Sequence, residues 1–220
     1  MKLASICSVL AVAMLSGGCF IIRLDGPAPI QGSGTKAVQT RKLEAFSGIE
    51  FNGAGQLRAK VGGEPSITLE IDDNLLDVIT TEIHDGRLVI SSSEPYSTSL
   101  GLTATVTAPE LEYYCQRGSG DVQIEGAQGD RFTVELFGSG HIRASGTASR
   151  VTAEIAGSGN IDLSGLAAKD VTAQIKGSGD VRVGAAETLR ASIYGSGNVR
   201  YRGDPKVEQR IFGSGTVRKE

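Results

Sequence analysis

The chain has no Trp, only 5 Tyr and 6 Phe, 3 Cys and 2 His in 220 residues. Each shortage excludes something. Without bulky aromatics a core must be assembled from Val, Ile, Leu and Ala, which suits thin, regularly stacked layers better than one large aromatic centre. The cysteines are too few for a disulfide framework, and no pair has zinc-binding spacing. The histidines, His84 and His141, leave little scope for base chemistry. Ser139 lies two residues from His141, but no acidic residue is spaced to orient that ring, so no catalytic residue is assigned and the chain reads as a non-enzyme. Charge of neither sign dominates. With 22 Lys and Arg against 25 Asp and Glu, the net charge of -3 points to no nucleic acid and no anionic membrane surface.

The N-terminus reads as an export signal over residues 1–18: Met1-Lys2, an apolar run from Leu3 to Leu15, then Ser16-Gly17-Gly18 before Cys19. That run is too short to span a bilayer as a helix. Its ending is similar to the lipobox of bacterial lipoproteins, with Cys19 as the lipidated residue. One departure stands out: the aliphatic residue normally three places before the cysteine is Ser16, and Leu15 sits one place early. Two routes follow, lipidation at Cys19 or ordinary signal-peptidase cleavage nearby. In the first, Cys115 is a lone thiol; in the second, a Cys19–Cys115 bridge is open in an oxidising compartment. Residues 19–44 contain Gly26, Pro27, Pro29, Gly32, Ser33 and Gly34 with no sustained apolar period. They read as a flexible tether, or simply a disordered N-terminus, before a domain at 45–220.

What the chain has in abundance is glycine, 30 residues of it, and much of it is periodic. Gly-Ser-Gly begins at Gly118, Gly138, Gly157, Gly177, Gly195 and Gly213, at intervals of 20, 19, 20, 18 and 18 residues, with a weaker copy at Gly53-Ala54-Gly55. Apolar residues alternate before each copy, as in Val151, Ala153 and Ile155, and again after it, as in Ile161 and Leu163. Period two on both sides means strands with one buried face. A second turn is marked by Gly126, Gly146, Gly165, Gly184 and Gly203. The expected fold is therefore all-β, a single-stranded β-solenoid with coils of 18–20 residues whose equivalent positions stack. An irregular β-meander is the rival, but it needs no constant turn spacing. Two parts break the pattern. Gln116 stands where later copies have Leu136, Ile155, Ile175, Ile193 and Ile211, which predicts a bulge or junction. The stretch from Gly62 to Pro109 lacks the repeat but carries Asp85-Gly86 between alternating apolar residues, a hairpin signal. It is expected to elaborate or cap the N-terminal end of the stack.

These residues resemble the bacterial head GIN domain family of auto-transporter adhesin head domains. The resemblance covers about Ala45 to Lys219 and rests on Phe46-Ser47-Gly48-Ile49-Glu50-Phe51, Asp73-Asn74-Leu75-Leu76, Asp85-Gly86-Arg87-Leu88 and the serial Gly-Ser-Gly-Asn/Asp-Val/Ile copies. It implies a right-handed β-helix and an exported, often lipoprotein, setting in the cell envelope. It brings no catalytic residues.

Stacked coils turn sequence columns into surface rows. The residue after each copy is Asp121, His141, Asn160, Asp180, Asn198 or Thr216, which predicts a polar ladder of turn hydrogen bonds. Calcium is the competing reading of such turns. Only two of the six are acidic, and they are three coils apart, whereas calcium needs six to eight oxygens; no metal or other cofactor is assigned. Two residues further on, the column reads Gln123, Arg143, Asp162, Arg182, Arg200 and Arg218; the column before each first glycine reads Arg117, Phe137, Ala156, Lys176, Tyr194 and Phe212. Arg143, Arg182, Arg200, Arg218, Phe137, Tyr194 and Phe212 are the candidate binding face for a glycan or protein ligand. Its alternative is an ordinary solvated surface. The membrane enters only through a lipid anchor, in the outer membrane or facing the periplasm or cell surface. Because Val217-Arg218-Lys219-Glu220 follows the last copy at once, homo-oligomerisation through that end is a further expectation, and a self-associating envelope protein without a dedicated ligand is the alternative function.

Overall fold

Alternation of Val, Ile, Leu and Ala with polar residues produces strands nearly throughout the chain. The structure, a computed structural model, describes residues 27–185 and 187–220 in full, and the backbone alone of Val9–Leu15 and Gly18–Leu24, which pair antiparallel. Residues 1–8 and 16–17 of the expected export signal and the side chain of Cys19 lie outside the described residues. Among the described residues, no helix is long and apolar enough to cross a membrane.

The fold is all-β and its path of strands is open, running from Thr216–Lys219 at one end to Lys36–Lys42 at the other. Three long strands, Tyr113–Gly138, His141–Gly157 and Asn160–Gly177, lie side by side in parallel; shorter parallel pieces continue from Asp180–Gly184 to Thr216–Lys219. Residues about one repeat apart are direct neighbours. Leu136, Ile155, Ile175, Ile193 and Ile211 form one continuous column, and Val122, Ile142, Ile161, Val181, Val199 and Val217 another. Apart from Ile211 and Val217 on the last repeat these side chains are buried, each contributing about 1.5–3 kcal/mol. No single repeat could bury them alone. The intervals of 18 to 20 residues are absorbed away from the Gly-Ser-Gly turn: the register slips between Ile124 and Ala127 and between Arg143 and Ser145, at the second turn.

At the N-terminal end the stack changes character. Gly48–Val61 pairs in parallel with Tyr113–Gly138, setting Gly53-Ala54-Gly55 on Gly118-Ser119-Gly120. Beyond it, Arg87–Ser92 and Thr103–Ala108 pair in parallel with its two halves. The next neighbours are antiparallel: Ser66–Asp72 against Thr103–Ala108, Lys36–Lys42 against Ser66–Asp72, and Ile79–His84 against Arg87–Ser92. The segment from Gly62 to Pro109 therefore caps that end. Asp85 and Gly86, both at positive φ (49° and 73°), make the expected two-residue hairpin.

Two expectations are corrected. Of the bulge or junction expected at Gln116 the bulge is absent, since pairing of Tyr113–Glu125 with Gly48–Lys60 is unbroken. Gln116 is buried in the core, its Oε1 accepting the Tyr114 hydroxyl at 2.6 Å and its Nε2 without a partner among the described residues. Nor is the whole of 19–44 a tether. Ile30–Gln31 pairs with Tyr96–Ser97, and Lys36–Lys42 is an edge strand of the main sheet. A further Gly-Ser-Gly, Gly32-Ser33-Gly34, lies between them and is clasped by the stretch that follows Ser66–Asp72. The buried Asp72 accepts the Gly34 N–H at 2.7 Å, Asn74 Oδ1 accepts the Ser33 N–H at 2.9 Å, and Asp73 accepts the Ser33 hydroxyl.

Candidate binding surfaces

The Gly-Ser-Gly turns hold successive repeats so close that the residue following each turn meets its equivalent one repeat away. From Asn160 to Thr216 the contacts form a hydrogen-bonded ladder. Asn160 Oδ1 accepts the Asp180 N–H at 3.0 Å; Asp180 Oδ1 accepts the Asn198 N–H at 3.0 Å and its Nδ2 at 2.9 Å; Asn198 Oδ1 accepts the Thr216 hydroxyl at 2.7 Å. These bonds run between coils rather than within a turn. Each adds about 0.5–1.5 kcal/mol net to a stack already held by its apolar columns. Asp121 and His141 are register partners at the earlier end of the same row.

The basic column is in register as well, but most of its charge is engaged. Arg143 reaches Asp162 at 3.7 Å, Arg182 reaches Glu220 at 3.4 Å, and Arg200 reaches Asp180 at 3.6 Å. Among the described residues no carboxylate lies within ion-pair distance of Arg218. Asp162 interrupts the column. Burial works to raise its carboxyl, but the Ser164 hydroxyl and N–H, then Arg143 and Arg182, together hold it below the usual carboxylate range. Arg200 Nε is buried without a partner. His141, Asn160, Asp162, Asp180, Arg182 and Arg200, with Ile161, line a cleft of about 170 Å³. This is a mixed-charge groove rather than a cationic strip.

The aromatic column behaves differently. Phe137 lies under the Arg117 guanidinium, 4.5 Å from the ring centroid, and is separated from the other aromatics by Ala156 and Lys176. Tyr194 and Phe212 stack, with centroids 5.1 Å apart and planes 8° from parallel, and stay 46% and 61% exposed. The two columns stand on opposite sides of the turn, the aromatics before it and the arginines after it. None of the clefts lined by Arg143, Arg182 or Arg200 includes Phe137, Tyr194 or Phe212. The structure thus brings the ladder and the arginines together, and Tyr194 with Phe212, but does not merge the two sets.

Among the described residues Cys115 has no disulfide partner, and it is buried in the core. Burial pushes its pKa up, against the opposing Tyr113 hydrogen bond and Arg117 charge, so nothing here activates it as a nucleophile.

A cleft at the other end of the stack was not foreseen. Every first glycine of the regular copies is overlaid by the preceding coil; a Cβ on Gly118, for example, would meet the Gly53 carbonyl oxygen at 2.3 Å. Gly53 itself has no such cover. A Cβ there would find only the Phe51 ring, at 3.8 Å. The coil that should underlie it has no Gly-X-Gly turn; between Ile90 and Thr103 the chain swings outward instead. The space left is a cleft of about 610 Å³ with Phe51, Asn52, Gly53, Ile79, Tyr96 and Leu102 among its walls. The only sequence signal is a negative one, a Gly-Ala-Gly copy followed by 48 residues (62–109) without a repeat.

A model of the family described as "Putative auto-transporter adhesin, head GIN domain" matches residues 45–205. The chain is similar in fold to a putative adhesin from Bacteroides fragilis, with a TM-score of 0.67 and 22% identity over 87% of this chain and 100% of that one. It is also similar to a putative adhesin from Parabacteroides distasonis (TM-score 0.57, 20% identity, 88% and 100% covered). A putative lipid binding protein from the same species gives a TM-score of 0.54 at 24% identity, with 88% and 100% covered. No curated protein sequence matches the chain.

Proposed function

Since the chain belongs to the head GIN family of auto-transporter adhesin-like proteins, we infer that it is an exported, non-enzymatic binding module of the cell envelope. In this reading residues 1–18 are removed on export and Cys19 carries the lipid anchor. The coils wind as a right-handed β-solenoid, a rigid spine that displays side-chain rows to a glycan or protein. The observation that carries the reading is the exposed Tyr194–Phe212 stack. Two large rings held parallel and half in water lose little conformational freedom on binding and offer flat apolar faces with a phenol at one edge. They are the strongest part of the candidate face, because Arg143, Arg182 and Arg200 already have carboxylate partners and would have to exchange them.

The test is adhesion of the full chain to cells and to isolated envelope glycans, alongside a Tyr194→Ala/Phe212→Ala variant and an Arg143→Ala/Arg182→Ala/Arg200→Ala variant. Loss in the aromatic variant with retention in the arginine variant is the expected pattern. Undiminished adhesion in both would reject this face. Mass spectrometry of the mature N-terminus decides whether Cys19 is acylated.

A further inference from the structure

The cleft at Gly53 combines an apolar floor with uncharged polar walls. Its walls carry no Asp, Glu, Lys or Arg. Phe51, Ile79, Ile90 and Leu102, all buried side chains, supply apolar floor, and Tyr96 stands beside them with a phenol that burial keeps protonated well above neutral pH. Ser92 and Ser97 are further polar residues of the same walls, while the hydroxyls of Ser91 and Thr98 are already engaged, by Thr80 and Asp72. Asn52 adds a specific demand: its Oδ1 is buried with no hydrogen-bond partner. A buried carbonyl oxygen left unpaired is unfavourable, so an occupant that brings a donor to it gains affinity.

From this the geometry points to a binding site for a neutral sugar ring. The volume, about 610 Å³, lies in the range that holds a small ligand. An anionic sugar or a phosphorylated headgroup would enter a site without a cation to meet it. An acyl chain would fill the apolar part but leave Asn52 Oδ1 buried and unpaired, with the surrounding hydroxyls desolvated for nothing. A neutral pyranose satisfies both halves: its hydroxyls donate to Asn52 and exchange bonds with the serines, while its C–H face packs on Tyr96 and the apolar floor. The site is formed where the column of Gly-X-Gly turns ends, so the fold itself makes it. It deepens the reading of the chain as a binding module, yet shares no residue with the Tyr194–Phe212 face.

The experiment is saturation-transfer NMR and titration of the full chain with methyl β-glucoside, methyl β-galactoside and N-acetylglucosamine, with glucuronate and dodecanoate as the charged and acyl probes. At least one neutral sugar should receive saturation and bind, and Asn52→Leu should weaken it tenfold or more. Tyr96→Phe tests the phenol separately, and Ala54→Phe, at an exposed wall position, should block the cleft even if Asn52→Leu fails to fold. Tyr194→Ala should leave this binding unchanged, which separates the present site from the aromatic face. No neutral sugar binding, or binding that survives both Asn52→Leu and Ala54→Phe, overturns the proposal. So does dodecanoate binding that tightens in Asn52→Leu, which would identify the cleft as an acyl site.

Discussion

Gly157 sits against Gly138 so closely that a Cβ on it would come within 2.2 Å of the Gly138 carbonyl oxygen, and its φ of 142° lies where side chains are strained in any case. Both constraints apply to the first glycine of the turn and neither to the serine that follows. Gly157→Ala should therefore lower stability by more than the roughly 1–3 kcal/mol of backbone strain alone, because the coils must also separate. Ser158→Ala should stay within about 0.5 kcal/mol. Urea unfolding monitored by circular dichroism compares them, and equal effects would show that the turn's close approach is not what holds the coils.

Depth in the stack should set the worth of otherwise identical residues. Ile155 and Ile211 occupy one column, but Ile155 is fully buried between two coils whereas Ile211 is 36% exposed on the last described coil. Ile155→Ala should cost about 2–5 kcal/mol through lost burial and the cavity left behind. Ile211→Ala should cost a fraction of that. Similar losses at the two positions would mean that the last coil is covered in solution, which size measurement by light scattering then checks.

The polar ladder offers a cleaner chemical contrast. Asp180 accepts from both the N–H and the Nδ2 of Asn198 through a single oxygen, which an amide side chain also possesses. Asp180→Asn should be nearly neutral apart from its weak ion pair with Arg200, whereas Asp180→Leu strands the Asn198 donors and should cost about 1–3 kcal/mol. Melting curves of the two variants side by side distinguish them. If Asn proves as costly as Leu, the charge rather than the acceptor is what matters there.

Strand pattern, turn spacing and side-chain columns were all readable, because repetition makes neighbours of residues one interval apart and the register preserves those columns from Phe132 to Val217. Pairing across columns was not. Asp180 and Glu220 neutralise arginines that a column read in isolation leaves free. The strand Lys36–Lys42 escaped notice because its pattern is inverted: Val38 is 60% exposed while Arg41 turns inward. Arg41 gives its guanidinium to the carbonyls of Leu76 and Ile79 and the hydroxyl of Thr81. A period-two search for buried apolar residues finds nothing in such a strand. The cleft at Gly53 was invisible for a related reason, being made by a turn that is missing.

Asp72 should give the fold an acid-sensitive clasp. Its carboxylate accepts the Thr98 hydroxyl and the Gly34 N–H, tying two separate segments to the end of Ser66–Asp72. The Thr98 hydroxyl is the larger cause that holds its pKa below the ordinary carboxylate range, against burial, which works the other way. A carboxyl whose folded pKa is depressed adds stability that is complete above its unfolded value, about 3.9, and is lost as pH falls through the folded value. Asp72→Asn should thus be less stable than the parent at pH 7, and the gap should close as pH falls below that window. Thr98→Val should narrow the parent's acid transition in the same sense by removing the principal donor. Denaturation midpoints measured across the acid range test this, and a gap between parent and Asp72→Asn that is independent of pH would show that shape rather than charge at Asp72 secures the N-terminal segment.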